Sequence, residues 1–269
     1  MTPTQRVRTI QALLVAALFA VVPPEDAVAQ GGPGFLFKEP VVSVGLRMGY
    51  AMPNAGSDLF AHAVEFLTIE NSDFASAYYG GELSVRVSSR VDIALGVGHT
   101  RSITPSEFRC CLDLDSLAIE QTTEFTTTPV TLSAKYYLTD RGRSIGRFAW
   151  VPAVVSPFVG GGVGLTFYRF DQTGAWIDFT AEDGEWLDHT NLPDDARLDI
   201  FDDRFDSDGS GKQFHLLAGL DFSINKNLYL TGEGRYLWAD AGINERFFEG
   251  FEDVDLSGFQ FTVGISARF

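Results

Sequence analysis

Along most of this chain apolar and polar residues alternate with a period of two, which predicts strands whose two faces meet different surroundings. In the final segment Phe259, Phe261, Val263, Ile265, Ala267 and Phe269 share one face, and Gly258, Gln260, Thr262, Gly264, Ser266 and Arg268 share the other. Before it, Leu228, Leu230, Tyr236 and Trp238 oppose Tyr229, Thr231, Glu233 and Arg235. Phe214, Leu216, Ala218, Leu220, Phe222 and Ile224 likewise oppose His215, Gly219, Asp221 and Ser223. Val159, Val163, Leu165 and Phe167 stand against Gly160, Gly162, Gly164, Thr166 and Tyr168. Val130, Leu132, Ala134, Tyr136 and Leu138 stand against Thr131, Ser133, Lys135 and Tyr137. Three earlier segments carry the apolar sets Val42, Val44, Leu46, Met48, Tyr50; Tyr79, Leu83, Val85, Val87; and Val91, Ile93, Leu95, Val97. Each runs to about ten residues, the length a tilted strand needs to cross a bilayer.

A soluble sandwich also alternates, and two features separate the cases. The polar face is heavy in glycine, with Gly45, Gly49, Gly96, Gly98, Gly160, Gly162, Gly164 and Gly264 among its members. Glycine weakens an ordinary strand but suits the concave interior of a narrow barrel. The connections are also asymmetric. Those after the second and sixth strands are tight, at Ser88-Ser89-Arg90 and Asn225-Lys226-Asn227, whereas those after the first, third, fifth and seventh are long. Short periplasmic turns and long external loops characterise outer-membrane barrels. The exception is the turn over 139–156, longer and holding Arg141, Arg143 and Arg147. The expected fold is all-β: one eight-stranded antiparallel up-and-down transmembrane β-barrel with long external loops.

The ends of the chain add an address. Arg6 and Arg8 precede an apolar run from Ile10 to Val22, then Pro23-Pro24 and Ala27-Val28-Ala29. These are the basic region, short apolar region and cleavage site of a secretory signal peptide, over 1–29, with cleavage near Ala29. Residues 30–39 follow as a short periplasmic segment and 40–269 as the barrel. The last strand ends on Phe269. An alternating aromatic strand of this kind, with Phe261, Val263, Ile265, Ala267 and Phe269 outward, resembles the assembly signal of Gram-negative outer-membrane barrels. The stretch from Thr128-Pro129-Val130 to Tyr136-Tyr137, followed by Ser156-Pro157-Phe158-Val159-Gly160-Gly161-Gly162, is similar to the central hairpin of the OmpA-like and OmpW-like eight-stranded families. The resemblance covers roughly residues 40 to 269. It implies an integral protein of the cell outer membrane that meets lipid and lipopolysaccharide and is inserted by the barrel-assembly machinery. These families include anchors, adhesins, small channels and a few enzymes.

Charge and candidate chemistry refine the picture. The net charge of −16 argues against nucleic acid. On the inward face lie Arg47, Glu82, Arg86, Asp92, Lys135, Asp221, Glu233, Arg235 and Arg268. Ionised groups in such an interior must be paired or hydrated, either as a network that plugs the barrel or as the lining of a narrow path for water or ions. Arg86 opposite Asp92 across the tight turn is an expected ion pair. Tyr50, Phe167, Tyr236 and Trp238 outside, and Phe269 inside, suit the aromatic belts at the membrane surfaces.

Most negative charge falls in the external loops. That over 171–210 holds 13 acidic residues against Arg197 and Arg204, interleaved with Trp176, Phe179, Trp186, Leu187 and Phe201. Its Asp206-Ser207-Asp208-Gly209 matches part of a calcium loop, but Arg204 holds the first ligand position and His215 the twelfth, so no metal is expected. Cys110 and Cys111, adjacent in the second external loop, can close a vicinal disulfide or join other molecules, and no free thiol is expected. Lipid A-modifying barrels carry a rim His and Ser; His99, Ser102 and Glu107 are the only such trio here, and their spacing does not match. The expected function is therefore structural or surface-interacting, with no catalysis and no cofactor. The alternative is a narrow channel for ions or small solutes, or a conduit for small apolar ones; a lipid A-modifying enzyme ranks below both.

Overall fold

The computed structural model describes residues 34–178, 197–243 and 250–269. The expected signal peptide lies outside the described residues, as do Phe179, Trp186 and Leu187. The wall consists of β1 (Val42–Pro53), β2 (Ser76–Arg86), β3 (Val91–Asp113), β4 (Ala118–Tyr137), β7 (Val155–Ile177), β9 (Ile200–Ser223), β10 (Leu228–Ala241) and β12 (Gly258–Arg268). Each pairs antiparallel with its neighbour in this order. The ring closes where β1 pairs with β12, Ser43 opposite Arg268 through Pro53 opposite Gly258. Smaller strands are β5 (Gly142–Ser144), β6 (Trp150–Pro152), β8 (Arg197–Leu198) and β11 (Val254–Asp255).

The barrel is inside-out relative to a soluble protein. Leu46, Met48, Phe214, Leu216, Phe261 and Val263 are exposed on the outer wall, while Lys135, Thr231, Ser133 and Glu233 are buried within. Water on both sides would make such a wall an aggregation hazard, whereas lipid outside makes it stable.

Four strands are far longer than a bilayer needs. β3, β4, β7 and β9 have 23, 20, 23 and 24 residues, against 12 and 11 in β1 and β2. This corrects the expectation of long loops after the third and fifth strands. Much of the stretch read as an acidic loop continues as hairpin, with Asp171–Ile177 paired to Ile200–Asp206. Beyond lipid the outer face meets water while inward residues such as Ile119, Thr123 and Phe125 stay buried, so the lipid-facing apolar parity is lost although β-branched residues such as Thr122, Thr123, Thr126 and Thr127 still favour strand.

The end carrying these extensions, the crown, is capped. Helix α1 (Asp58–Phe66) buries Leu59, Phe60 and Ala63, and Asp58 in its first turn suits the positive end of the helix dipole. A 3-10 turn at Asn71–Phe74 follows, started by a capping box in which the Asp73 carboxylate accepts from the Glu70 backbone N–H at 2.9 Å. Phe60 and Phe74 pack edge-to-face against each other and against Phe125 of the wall, with ring centroids 4.8 to 6.2 Å apart.

The opposite end, the floor, is closed by the basic turn. β5 and β6 form a hairpin whose Trp150 is buried. Leu36 exchanges backbone hydrogen bonds with Trp150 at 2.9 and 2.7 Å, so the N-terminal segment is stitched to the same plug.

Candidate functional site

The lumen between cap and floor holds the charged residues, and glycine decides where they fit. Arg47 lies in register between Gly264 and Gly80, and Glu82 between Gly45 and Gly96. Lys135 faces Gly160, and Glu233 faces Gly219. Every long ionic side chain of the central cluster except Arg235 thus has a neighbour with no side chain, which gives it room to fold across the interior. Within the inward parity the glycines are the negative image of the charged residues.

Five groups form the central cluster. An Arg47 Nη donates to Glu82 at 2.6 Å, and Lys135 Nζ donates to both Glu82 oxygens at 2.7 and 2.9 Å. Glu233 is the hub of the other side, 3.0 Å from Lys135, 2.9 Å from Arg235 and 3.5 Å from Arg47. The three cations and two carboxylates are shielded from solvent, so Coulomb attraction acts at low dielectric while each charge carries a desolvation cost.

Above the cluster runs a neutral polar row. Ser133, Gly162 and His215 stand side by side on β4, β7 and β9, and the Ser133 hydroxyl lies 2.8 Å from His215 Nε2. A Cβ at Gly162 would come within 2.8 Å of that same nitrogen, so glycine is required between them. His215 also contacts Gln213 at 3.4 Å, which accepts from Thr166 at 2.7 Å. A serine within reach of a histidine resembles an activated nucleophile, but both are only 2% exposed. A cavity under the cap, lined by Thr166 and Gln260 among others, measures about 40 Å³.

At the floor the expected partners are exchanged. Arg86 and Asp92 do stand opposite one another in register, yet they do not pair. Arg86 pairs with Glu39 of the N-terminal segment, and Asp92 accepts from Arg141 of the basic turn at 2.5 Å. Long guanidinium arms reach past the adjacent strand, and the turn brings a competing cation that register alone cannot show. Asp221 is held by hydroxyls, Tyr137 at 2.8 Å and Thr231 at 2.7 Å. Arg268 lies over the Tyr229 ring at 4.4 Å and donates to Ser223 at 2.9 Å.

The remaining candidates fall apart or change character. His99 and Ser102 project to opposite faces of β3: His99 is exposed and bonds Thr128 at 3.2 Å, while Ser102 is buried and donates to the Phe125 carbonyl. The rim trio is not assembled. Asp206 to Gly209 lie within β9 paired to β7, where alternate residues face opposite ways and cannot encircle a cation. Among the described residues no group of three or more His, Cys, Asp or Glu is placed to hold a metal ion. Cys110 and Cys111 are joined by a disulfide beside a register shift between Glu107 and Leu112, with Cys111 at φ 73°. It packs into a small apolar cluster with Ile119, Ile177 and Leu198. Tyr236, Trp238 and Phe259 form one outer aromatic patch, with centroids 4.8 and 5.6 Å apart. Phe261, Val263, Ile265 and Phe269 point outward.

No protein-family model matches the chain, and no curated protein does. Among solved structures it is similar to Neisserial surface protein A, at 11% identity over 85% of this chain and 97% of that one, with a TM-score of 0.46. It is similar to a major outer membrane protein of Thermus thermophilus, at 12% identity over 86% and 100%, with a TM-score of 0.41. Ail, the attachment invasion locus protein of Yersinia pestis, follows at 10% identity over 88% and 100%, with a TM-score of 0.39. These neighbours are outer-membrane β-barrel proteins. The barrel itself rests on the strand pairing, which closes without reference to them.

Proposed function

We propose that this chain is an integral barrel of a Gram-negative outer membrane, exported by residues 1–29, whose role is structural or surface-interacting, with neither catalysis nor conduction. The floor faces the periplasm and the crown faces out. One observation carries this reading: the lumen is filled at three levels, by the Phe60 cap, by the Glu82–Lys135–Glu233 cluster and by the Trp150 plug. Ions need a continuous wet path, and a cluster whose charges neutralise one another fills the place where such a path would run. Lipid and lipopolysaccharide contact the outer wall and crown, and the outward face of β12 is what the assembly machinery reads.

Single-protein recordings in planar bilayers test the reading. Electrical silence is expected. Stable discrete openings overturn it in favour of a narrow channel. Mass spectra of lipid A from cells with and without the protein are expected to be identical, and a new acylation species that depends on His215 overturns the non-catalytic part.

A further inference from the structure

We propose that the floor of the lumen is a binding site for a small monovalent anion of chloride size. Arg86 of β2, Arg141 of the turn after β4 and Arg268 of β12 come from three separate parts of the chain and line one cavity of about 30 Å³. The side chains of Arg86 and Arg141 are about nine-tenths buried, and Arg268 is only 8% exposed. On each, Nε is buried with no hydrogen-bond partner. Arg141 spends both outer nitrogens on Asp92 and the Ser88 carbonyl and Arg268 gives one to Ser223, whereas Arg86 Nη1 is ion-paired with Glu39 without a hydrogen bond.

The acceptors run short. Asp92 and Asp221 also line the cavity, but Asp221 spends both oxygens on Tyr137 and Thr231, and only Asp92 Oδ1 is left without a partner. Four orphan donors, the three Nε and Arg86 Nη1, thus face one orphan acceptor, and three lining cations face two lining carboxylates. Glu39, which completes the balance, is about half exposed, so its charge is screened by water while those of the arginines are not. An orphan buried donor is costly until something accepts from it. Water brings as many donors as acceptors and leaves the charge unchanged, whereas a halide only accepts and supplies the missing negative charge.

Size selects the ion. A water needs about 10–15 Å³ of such space, so a cavity of about 30 Å³ suits one halide with a hydration water. Trp150 lies beneath, with the Arg86 and Arg268 guanidiniums 5.7 and 5.8 Å from its ring, and keeps both turned inward. Because Arg141 belongs to the plug, the bound anion ties plug to wall.

Bromide is the probe. Crystals of the full-length mature protein transferred to sodium bromide are expected to show an anomalous peak at the floor, within hydrogen-bond reach of Arg141 and Arg268. An empty anomalous map there overturns the proposal, and so does a peak that persists unchanged in Arg268→Gln, the mark of an adventitious ion only. In detergent at constant ionic strength, replacing gluconate by chloride is expected to raise the wild-type unfolding temperature saturably; no rise overturns the site without any variant. Arg141→Gln, which leaves the wall strands untouched, is expected to abolish that rise if Arg268→Gln does not fold.

Discussion

Phe60 at the heart of the cap and Glu233 at the heart of the lumen are both sealed from water, yet they are held by opposite means. Phe60 sits among Phe74, Phe125 and Phe170, where every contact is apolar and no single neighbour is indispensable. Burial there is favourable in proportion to area and indifferent to direction. Glu233 sits among Arg47, Lys135 and Arg235, where each contact offsets a desolvation cost that would otherwise stand alone. The cap is therefore expected to yield gradually as atoms are removed, and the lumen to fail when a single charge is lost.

The most severe break is Glu233→Gln. It keeps the shape of the side chain and leaves three central cations facing Glu82 alone, at an expected cost of about 3–5 kcal/mol. Denaturant unfolding of the protein folded into lipid vesicles measures this. Adding Arg47→Met to the same chain is expected to restore part of the loss, because it removes an unmatched cation. A single variant as stable as wild type, or a double variant no better than the single, would show that the five groups do not act as a unit.

Phe60→Ala comes next, at about 3 kcal/mol, and Phe60→Leu at less than about 1.5 kcal/mol, the graded response of an apolar core. The effect is expected to be local. Hydrogen exchange should accelerate in α1 and in the turn at Asn71–Phe74 while β1, β4 and β12 keep their protection, because the ionic cluster below supports the wall independently. Equal loss of protection in cap and wall sinks that separation.

The two regions were not equally legible in the sequence. Members of the lumen could be read from parity, since lipid outside and polar groups inside force a strict period of two on Lys135, Glu233 and Arg235. Their partners could not be read, because Lys135 reaches past β3 to Glu82, and Glu233 of β10 meets Lys135 of β4 across the interior and Arg47 of β1 past β12, contacts set by long side chains and barrel closure and not by adjacent pairs. Register nevertheless held part of the answer: the glycines opposite Arg47, Glu82, Lys135 and Glu233 mark where large side chains must fold across. Arg141 and Glu39 escaped because they lie in connecting segments with no period. The cap escaped because α1 spans nine residues, too few for a helical period to stand out. The strand extensions of the crown escaped because their outer face meets water instead of lipid and loses the apolar parity, while the inner face buries apolar and polar residues together, Phe125 and Ile119 beside Thr123 and Gln121.

The mildest test sets the lumen against the crown with nearly the same chemistry. Arg101 donates to both oxygens of Glu124 at 2.8 and 2.7 Å, a bidentate pair as well formed as Lys135 with Glu82. It lies on the exposed outer face of the crown, where water solvates both ions whether or not they meet. Arg101→Gln is expected to leave the unfolding midpoint unchanged, in contrast to Glu233→Gln. Its trace should appear only in titration. The hydrogen bonds from Arg101 hold the Glu124 carboxyl below the usual carboxylate range, against a smaller opposing push from partial burial. A depressed value means that the folded protein favours the ionised form. The pair's contribution is then complete above the ordinary glutamate value of about 4.3 and is lost as pH falls through the lower folded value. Carbon NMR of labelled glutamate should show the Glu124 midpoint moving upward in Arg101→Gln. If the midpoint does not move, the crown pair is a geometric coincidence; if the stability falls as far as in the lumen variant, solvent exposure is not what distinguishes the two regions.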